Sequence, residues 1–231
     1  MQFLRKGIAF MKSKINIRRL VLTSMLLALA TALAFACAYI PFLNLPFGGG
    51  FTVASMLPIV LIAYMYGTRW GLASALVYSF IQLAFGAFTG GGYVISLFTV
   101  ESDDFMGYGA AVWICLIDYI IAYTLLGFGG IFRNKLKKVP ALVLGTVVAL
   151  SLRYLAHIVS GYIFFGAWAD WFFSQEGFYK IGETILSTFS GNLLGIIYSI
   201  FYNGLYMIPE IVITAVAAGI VSAIPQIKKY N

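Results

Sequence analysis

Residues 20–41 read LVLTSMLLALATALAFACAYIP, a run without a single charged side chain. About 20 apolar residues in helical form cross the hydrocarbon core of a bilayer. Five more apolar runs follow along the chain, at 51–66, 70–88, 107–131, 140–166 and 196–224. The sequence therefore predicts an all-α, polytopic membrane protein built as a bundle of six transmembrane helices.

The composition of the whole chain agrees with that prediction. Of its 231 residues 61% are hydrophobic and only 10% are charged, and its mean hydropathy is +0.94. Soluble domains are nearer to about 45–50% apolar and about 25% charged residues. A soluble globule, a disordered chain and a nucleic-acid-binding domain are thereby excluded. Cys37 and Cys115 lie inside apolar runs without metal-ligand spacing, so we interpret both as reduced, packed residues.

The basic residues assign the two sides of the membrane. With six spans, the start of the chain, the second and fourth connections and the end of the chain share one side, and together they hold 13 of the 15 basic residues. Positive residues favour the cytoplasmic side, so both termini are predicted to be cytoplasmic. The predicted organisation is a basic cytoplasmic segment at 1–19, a membrane domain at 20–225 and a short cytoplasmic tail at 226–231.

Two of the apolar stretches have unusual lengths. The run at 51–66 is brief, which indicates a short or partly buried helix. The last stretch begins near Gly191 and is too long for one span. We therefore expect an interfacial helix first and the final span after it. The aromatic-rich residues 167–190 are expected to form an interfacial cap on the outer side, with a membrane-anchoring aromatic belt as the alternative.

Three charged side chains and the one histidine fall inside the spans: Asp118, Arg153, His157 and Glu210. Charges at membrane depth are costly, so they face a cavity or a partner and are candidates for function. Arg153 is predicted either to contact a ligand or to act as counter-ion to Asp118 or Glu210. His157 has interhelical hydrogen bonding as its alternative role. Glu210 follows Pro209 and is expected to accompany a kink or to neutralise Arg153.

Catalytic interpretations find little support in the sequence. The chain has one histidine and lacks the HExxH and GxxxxGK[ST] patterns of metalloproteases and P-loop ATPases. We therefore predict a binding protein and not an enzyme, without metal or cofactor. Asp118 and His157 as an intramembrane acid–base pair, and a stand-alone carrier or channel, are the weaker alternatives.

Four segments carry a resemblance to a known family. They are GGGFTVASMLPIVLIAYMYGTRWGL at 48–72, LIDYIIAY at 116–123, RYLAHIVSGYIFFGAWA at 153–169 and YSIFYNGLYMIPEIVIT at 198–214. In this order they resemble the thiamine-specific substrate-binding subunits, or S-components, of energy-coupling factor vitamin transporters. The resemblance extends from about residue 18 to residue 224.

The resemblance implies a set of substrate-binding residues. Tyr93 is the best match to an upstream tyrosine of the family, with Tyr108 as its competitor. Some members stack a tryptophan where this chain has Phe165, and Trp168 could supply that ring instead. An aromatic of the family in the first outer connection aligns near Gly49 to Phe51, where Phe51 is the only aromatic residue. The full implied set is Phe51, Tyr93, Asp118, Arg153, His157, Gly161, Phe165, Trp168, Tyr198 and Asn203. Tyr198 and Asn203 have helix–helix contacts as their alternative role.

The resemblance also implies partners and a location. Thiamine would be the ligand, and a transmembrane scaffold subunit and two ATP-binding subunits would complete a transporter in the cell membrane of a prokaryote. Small residues of the first span would dock on the scaffold, with packing inside the bundle as the alternative: Ala28, Ala30, Ala32 and Ala34. A binding site for another heteroaromatic vitamin or a thiamine precursor is the alternative specificity. An acid among aromatic rings suits such a flat cation, because cation–π attraction adds to charge pairing.

Overall fold

The computed structural model describes residues 17–45, 49–89 and 92–228 of the chain. Most of the predicted N-terminal basic segment and residues 229–231 of the tail lie outside these ranges. The helices described are α1 (Ile17–Ala38), α2 (Leu57–Tyr66), α3 (Thr68–Phe88), α4 (Tyr93–Ser96), α5 (Tyr108–Gly130), α6 (Lys138–Phe165), α7 (Ala169–Phe173), α8 (Tyr179–Thr188), α9 (Gly191–Ser222) and α10 (Pro225–Lys228). Within the described residues, extended backbone pairs only at an isolated bridge between Asn44 and Gly50.

The predicted bundle of six helices is confirmed. Five helices, α1, α3, α5, α6 and α9, are long and apolar enough to cross a bilayer, and α2 is a shorter apolar helix. The fold is therefore that of a multi-pass helical membrane protein.

Helix α2 is the short, buried helix that the sequence predicts. Its 10 residues rise only about 15 Å, half the thickness of the hydrocarbon core. Every residue of α2 before Tyr66 is buried, against α1, α3, α5 and α6. Non-helical chain at residues 49–56 precedes it. Such chain is tolerated at membrane depth only where protein encloses it or a cavity adjoins it, and this segment does adjoin a cavity.

Helix α9 corrects the expectation of a separate interfacial helix at the start of the last apolar stretch. The 32 residues from Gly191 to Ser222 form one continuous helix that passes through Pro209. Its first turns stay helical because other parts of the protein cover them: Phe172 of α7 packs on Tyr198 with ring centroids 5.3 Å apart. The short helices before α9 are α7 and α8, in the predicted cap at 167–190.

Helix α5 changes its winding along its length. Residues Tyr108–Ile114 are α-helical, Cys115–Ile121 form a π-helical turn, and Leu125–Gly130 wind as a 3₁₀ helix. The tight final turns depend on glycine, since a Cβ atom on Gly127 would collide with the backbone of Leu72 in α3. The π-helical turn carries Asp118. π-helical turns are frequent at functional sites because they redirect side chains.

The two ends of the bundle differ in character. At one end the guanidinium of Arg19 lies 3.8 Å from the Trp70 ring centroid, and the turn at Gly67 lies beside Arg133. Basic residues that the sequence assigns to one side of the membrane thus meet at one end of the bundle. At the other end, the outer connections surround an open cavity.

A candidate ligand cavity lined by carboxylate and aromatic side chains

A cavity of about 860 Å³ lies between α1, α3, α5, α6 and α9 and is bordered by the connections at one end of the bundle. Its size falls within the range of small-molecule sites, about 300–1,000 Å³. The structure brings together all ten residues of the implied set in its lining: Phe51, Tyr93, Asp118, Arg153, His157, Gly161, Phe165, Trp168, Tyr198 and Asn203. Their contact with a ligand remains a prediction.

Asp118 is held in one orientation by two residues of α6. The Nδ1–H group of His157 donates to its Oδ1 at 2.8 Å, and the Ser160 hydroxyl donates to its Oδ2 at 2.6 Å. One further lone pair on each oxygen is left for another donor. The carboxylate is therefore an oriented acceptor in the cavity wall. The Nε2 atom of His157 is buried and has no hydrogen-bond partner among the described residues.

Arg153 pairs with neither of the carboxylates expected for it. The one ion pair among the described residues joins His157 to Asp118. Arg153 is only 6% exposed; it donates to the Tyr123 hydroxyl at 3.1 Å and to the Met56 sulfur at 2.9 Å. Its guanidinium also lies 4.3 Å from the Tyr123 ring centroid. Among the described residues, Arg153 thus makes no direct ion pair with Asp118 or Glu210, and its guanidinium is held by an aromatic ring and a thioether.

Glu210 binds the chain ahead of α2 instead of a cation. Its carboxylate, 1% exposed, accepts from the backbone N–H of Thr52 at 2.5 Å and from the Thr52 hydroxyl at 2.9 Å. The hydroxyl of Thr214 donates to it at 3.2 Å from one turn further along α9. An ionised carboxylate is satisfied by such a set of donors.

The two candidate tyrosines of the third connection and α5 differ in position. Tyr93, in the short helix α4, lines the cavity, whereas Tyr108 is 60% exposed at the start of α5. Burial and, to a lesser extent, the nearby Asp118 raise the pKa of Tyr93, so its phenol stays a neutral donor at physiological pH. Of the two candidate tyrosines, Tyr93 is therefore the one that lines the cavity.

Gly161 and Asn203 also serve the packing of α6 against α9. A Cβ atom on Gly161 would collide with the Ser199 hydroxyl and lie 2.9 Å from Nδ2 of Asn203. Nδ2 of Asn203 donates to the His157 carbonyl at 3.2 Å, and its Oδ1 accepts from the hydroxyl of Tyr206. The helix–helix role left open for Asn203 is therefore present in the structure, beside its place in the cavity wall.

Sequence reasoning missed part of the aromatic wall. Tyr202 and Tyr206 continue the line of Tyr198 along α9 and line the cavity, as does Tyr119 of α5. The rings of Tyr198 and Tyr202 lie 5.6 Å apart, and those of Tyr202 and Tyr206 lie 6.4 Å apart. Their four-residue spacing places them on one helix face. That spacing was the signal in the sequence that could have identified them.

The outer connections supply the residues at the cavity entrance. Trp168, 46% exposed, packs edge-on against Trp171 with centroids 5.8 Å apart, and both line the cavity. Asp103 and Asp104 of the connection before α5 do so as well, and Asp104 accepts from the Ser96 hydroxyl at 2.5 Å. The two acids were also missed, because an irregular connection gives no periodicity from which to infer position.

The alanines of α1 divide between two faces. Ala30 and Ala34 are buried within the bundle, whereas Ala28 and Ala32 are exposed. Residues two apart in an α-helix point about 200° from each other, so the four cannot form one docking face. The docking expectation is therefore wrong for Ala30 and Ala34, which pack internally, and Ala28 and Ala32 retain it as a prediction.

These features define a class: a multi-pass helical membrane protein with a polar, aromatic cavity inside one end of its bundle. The sequence model of the thiamine transporter protein family (Thia_YuaJ) matches residues 24–175, more than half of the chain. The chain belongs to that family. Thiamine transporter ThiT of Bacillus subtilis (strain 168) is 28% identical over 185 residues, 76% of each chain. The solved structure of ThiT from Listeria monocytogenes has the same fold, with TM-score 0.60, 20% identity, and coverage of 92% of this chain and 97% of that one.

Proposed function

We propose that this protein binds thiamine from the extracellular side and delivers it across the membrane as the S-component of an energy-coupling factor transporter. The observation that carries the proposal is the Asp118 carboxylate, fixed by His157 and Ser160, in a cavity whose lining includes six tyrosines. Family membership supports the same ligand.

The chemistry of thiamine matches this wall. Its thiazolium ring is permanently positive, and its aminopyrimidine ring is flat and carries an amino group that donates hydrogen bonds. Asp118 can accept from that amino group or offset the positive charge through the lone pairs that His157 and Ser160 leave open. Tyrosine rings add cation–π attraction, about 2 kcal/mol or more where water is excluded.

Arg153 requires a role compatible with a cationic ligand. Its side chain is anchored by Tyr123 and Met56, and a planar guanidinium retains donors beyond those two contacts. We assign it to the hydroxyethyl tail of thiamine, whose oxygen accepts hydrogen bonds and is joined to the thiazolium ring through a short flexible carbon chain.

Transport requires partners that supply the energy. The proposed complex contains a transmembrane scaffold subunit and two ATP-binding subunits in the plasma membrane of a prokaryote. The bacterial sources of the two relatives support that location. The proposed orientation places the basic end near Arg19 and Arg133 in the cytoplasm and the cavity outside, following the positive-inside rule. Ala28 and Ala32, exposed on α1, are the proposed scaffold contacts.

A binding titration tests the proposal. Purified protein is titrated with thiamine, thiamine monophosphate, riboflavin and biotin while its tryptophan fluorescence is followed; Trp168 and Trp171 line the cavity. We expect saturable quenching that is strongest for thiamine, with the ligand recovered unchanged afterwards. Tighter binding of riboflavin or biotin would overturn the specificity, and chemical conversion of thiamine would favour the enzyme alternative. Uptake by liposomes that contain this chain alone would contradict its role as a subunit.

A further inference from the structure

Residues 52–56 form a non-helical corner between the first outer connection and α2. At its centre Ala54 has φ of +57°, in the left-handed region that residues with a Cβ atom seldom occupy. Such a conformation persists only where the surroundings hold it in place. The corner matters to the cavity because Thr52, Ser55 and Met56 line it, as does Phe51 immediately before them.

One end of the corner is held by the buried carboxylate of Glu210. The backbone N–H and the hydroxyl of Thr52 both donate to it. The hydroxyls of Thr52 and Ser55 lie 2.6 Å apart. Since the Thr52 proton points to Glu210, Ser55 is the donor of that pair. The hydrogen bonds at this end of the corner therefore connect Thr52, and through it Ser55, to the Glu210 carboxylate on α9.

The other end of the corner is held by the second buried charge. The Nη1 group of Arg153 donates to the Met56 sulfur at 2.9 Å. Between the two ends, the backbone N–H of Val53 donates to the Cys37 sulfur at 3.3 Å. Glu210 and Arg153 therefore form hydrogen bonds to opposite ends of one five-residue segment, and not to each other.

We propose that Glu210 is a positioning residue for ligand binding: its carboxylate holds the corner so that Phe51 and Met56 stay in the cavity wall. Glu210 itself is not among the described residues that line the cavity, so it acts through Thr52. The affinity part of this inference rests on the proposed binding of thiamine.

Two threonines provide a matched test. Thr52→Val and Thr214→Val each replace one hydroxyl donor of Glu210 with a methyl group of similar shape, but only Thr52 belongs to the corner. We expect Thr52→Val to weaken thiamine binding about tenfold, as loss of a hydrogen bond to a charged group does, and Thr214→Val to change it by about twofold at most. Thr52→Ser, which keeps the hydroxyl, is expected to bind close to wild type.

A second measurement reports the corner without any ligand. Cys37 is 6% exposed, its sulfur accepts from the backbone N–H of Val53, and it lines the cavity; Cys115 is the other cysteine of the chain. In a Cys115→Ala background without ligand, the cavity gives a common basal labelling rate, and a rise in one variant over the matched control reports loosening of the corner. We expect Thr52→Val to raise that rate about tenfold and Thr214→Val to leave it unchanged, because local opening governs access to a buried thiol.

Three results would overturn the proposal. Wild-type affinity in Thr52→Val is the first, whether or not Cys37 becomes easier to label, because the corner would then be dispensable for binding. Equal losses in Thr52→Val and Thr214→Val are the second, since Glu210 would then act through α9 alone. The third is unchanged Cys37 labelling in Thr52→Val. If the wild-type protein failed to bind thiamine, the proposed function would fail, while the labelling result would still decide whether Glu210 holds the corner.

Discussion

The floor and the rim of the cavity are built in different ways. The floor consists of Asp118, Arg153 and His157, which come from regular or π-wound helix and are held by protein contacts. The rim consists of Phe51, Trp168, Asp103 and Asp104, which come from connections or short turns. Trp168 is half-exposed, whereas Arg153 and His157 are 6% and 7% exposed.

This difference indicates where binding energy and selectivity arise. Partly buried charges in a preorganised wall interact more strongly than exposed ones, because less water screens them and no side chain must be reordered. Charges at a wet entrance act over longer distances and are screened by salt. Substitutions in the floor should therefore change affinity, and those in the rim should mainly change the rate of entry.

The largest effect is expected for the carboxylate of the floor. Asp118→Asn keeps the shape of the side chain and removes its charge, and its amide NH₂ opposes one of the two donors that now point at Asp118. Removing one partner of a buried charge pair costs about 2–5 kcal/mol, so thiamine affinity should fall about 100-fold. Isothermal titration calorimetry in detergent measures this.

Ser160→Ala serves as the control for that substitution. It removes one donor to Asp118 and leaves the charge in place, so we expect a loss of about fivefold. Equal affinities of Asp118→Asn and wild type would contradict the assignment of Asp118 as the main polar contact.

A smaller loss is expected when the orientation of that carboxylate is disturbed. His157→Leu removes the donor to Oδ1 of Asp118 and should weaken binding about tenfold. His157→Asn can replace that donor through its amide nitrogen, but it offers nothing at the position of Nε2. Recovery of wild-type affinity in His157→Asn assigns His157 to positioning alone, and persistent loss assigns Nε2 to the ligand. Both dissociation constants come from the same titration.

The floor was also the part that sequence could predict. Asp118, Arg153 and His157 stood out because charged or polar residues are rare inside apolar spans, and the i, i+4 spacing of Arg153 and His157 fixed a shared face. The partner of Glu210 could not be predicted, because Thr52 is 158 positions away in the chain and hydrogen bonds between distant segments leave no periodic signal. For the alanines of α1 the sequence predicted too much: it placed four residues on one docking face, whereas Ala30 and Ala34 are buried and Ala28 and Ala32 are exposed. Composition alone does not distinguish two faces of one helix.

A modest effect is expected at the aromatic rim. Trp168→Ala removes a half-exposed ring, and cation–π attraction at exposed sites is about 0.5–1 kcal/mol, so affinity should fall about threefold. Trp168→Phe keeps a ring and should retain most of the binding. The variants also report on fluorescence: the part of the quenching that is lost in Trp168→Ala comes from Trp168. A loss as large as that of Asp118→Asn would show that the rim and floor do not differ as proposed.

The smallest effect is expected for the rim carboxylates, and its dependence on salt is more informative than its size. Asp103→Asn and Asp104→Asn remove negative charge from the entrance, where a cationic ligand arrives, so the association rate should fall about twofold to threefold at low ionic strength. Stopped-flow fluorescence should find this difference gone near 0.5 M salt, since screening then acts within about 4–5 Å. Glu183→Gln makes the same change of charge at an exposed position of α8 and should leave the rate unaltered. A reduced association rate that persists in high salt would mean that Asp103 or Asp104 contacts the ligand directly. That residue would then act like the floor residues, through affinity and not through long-range attraction.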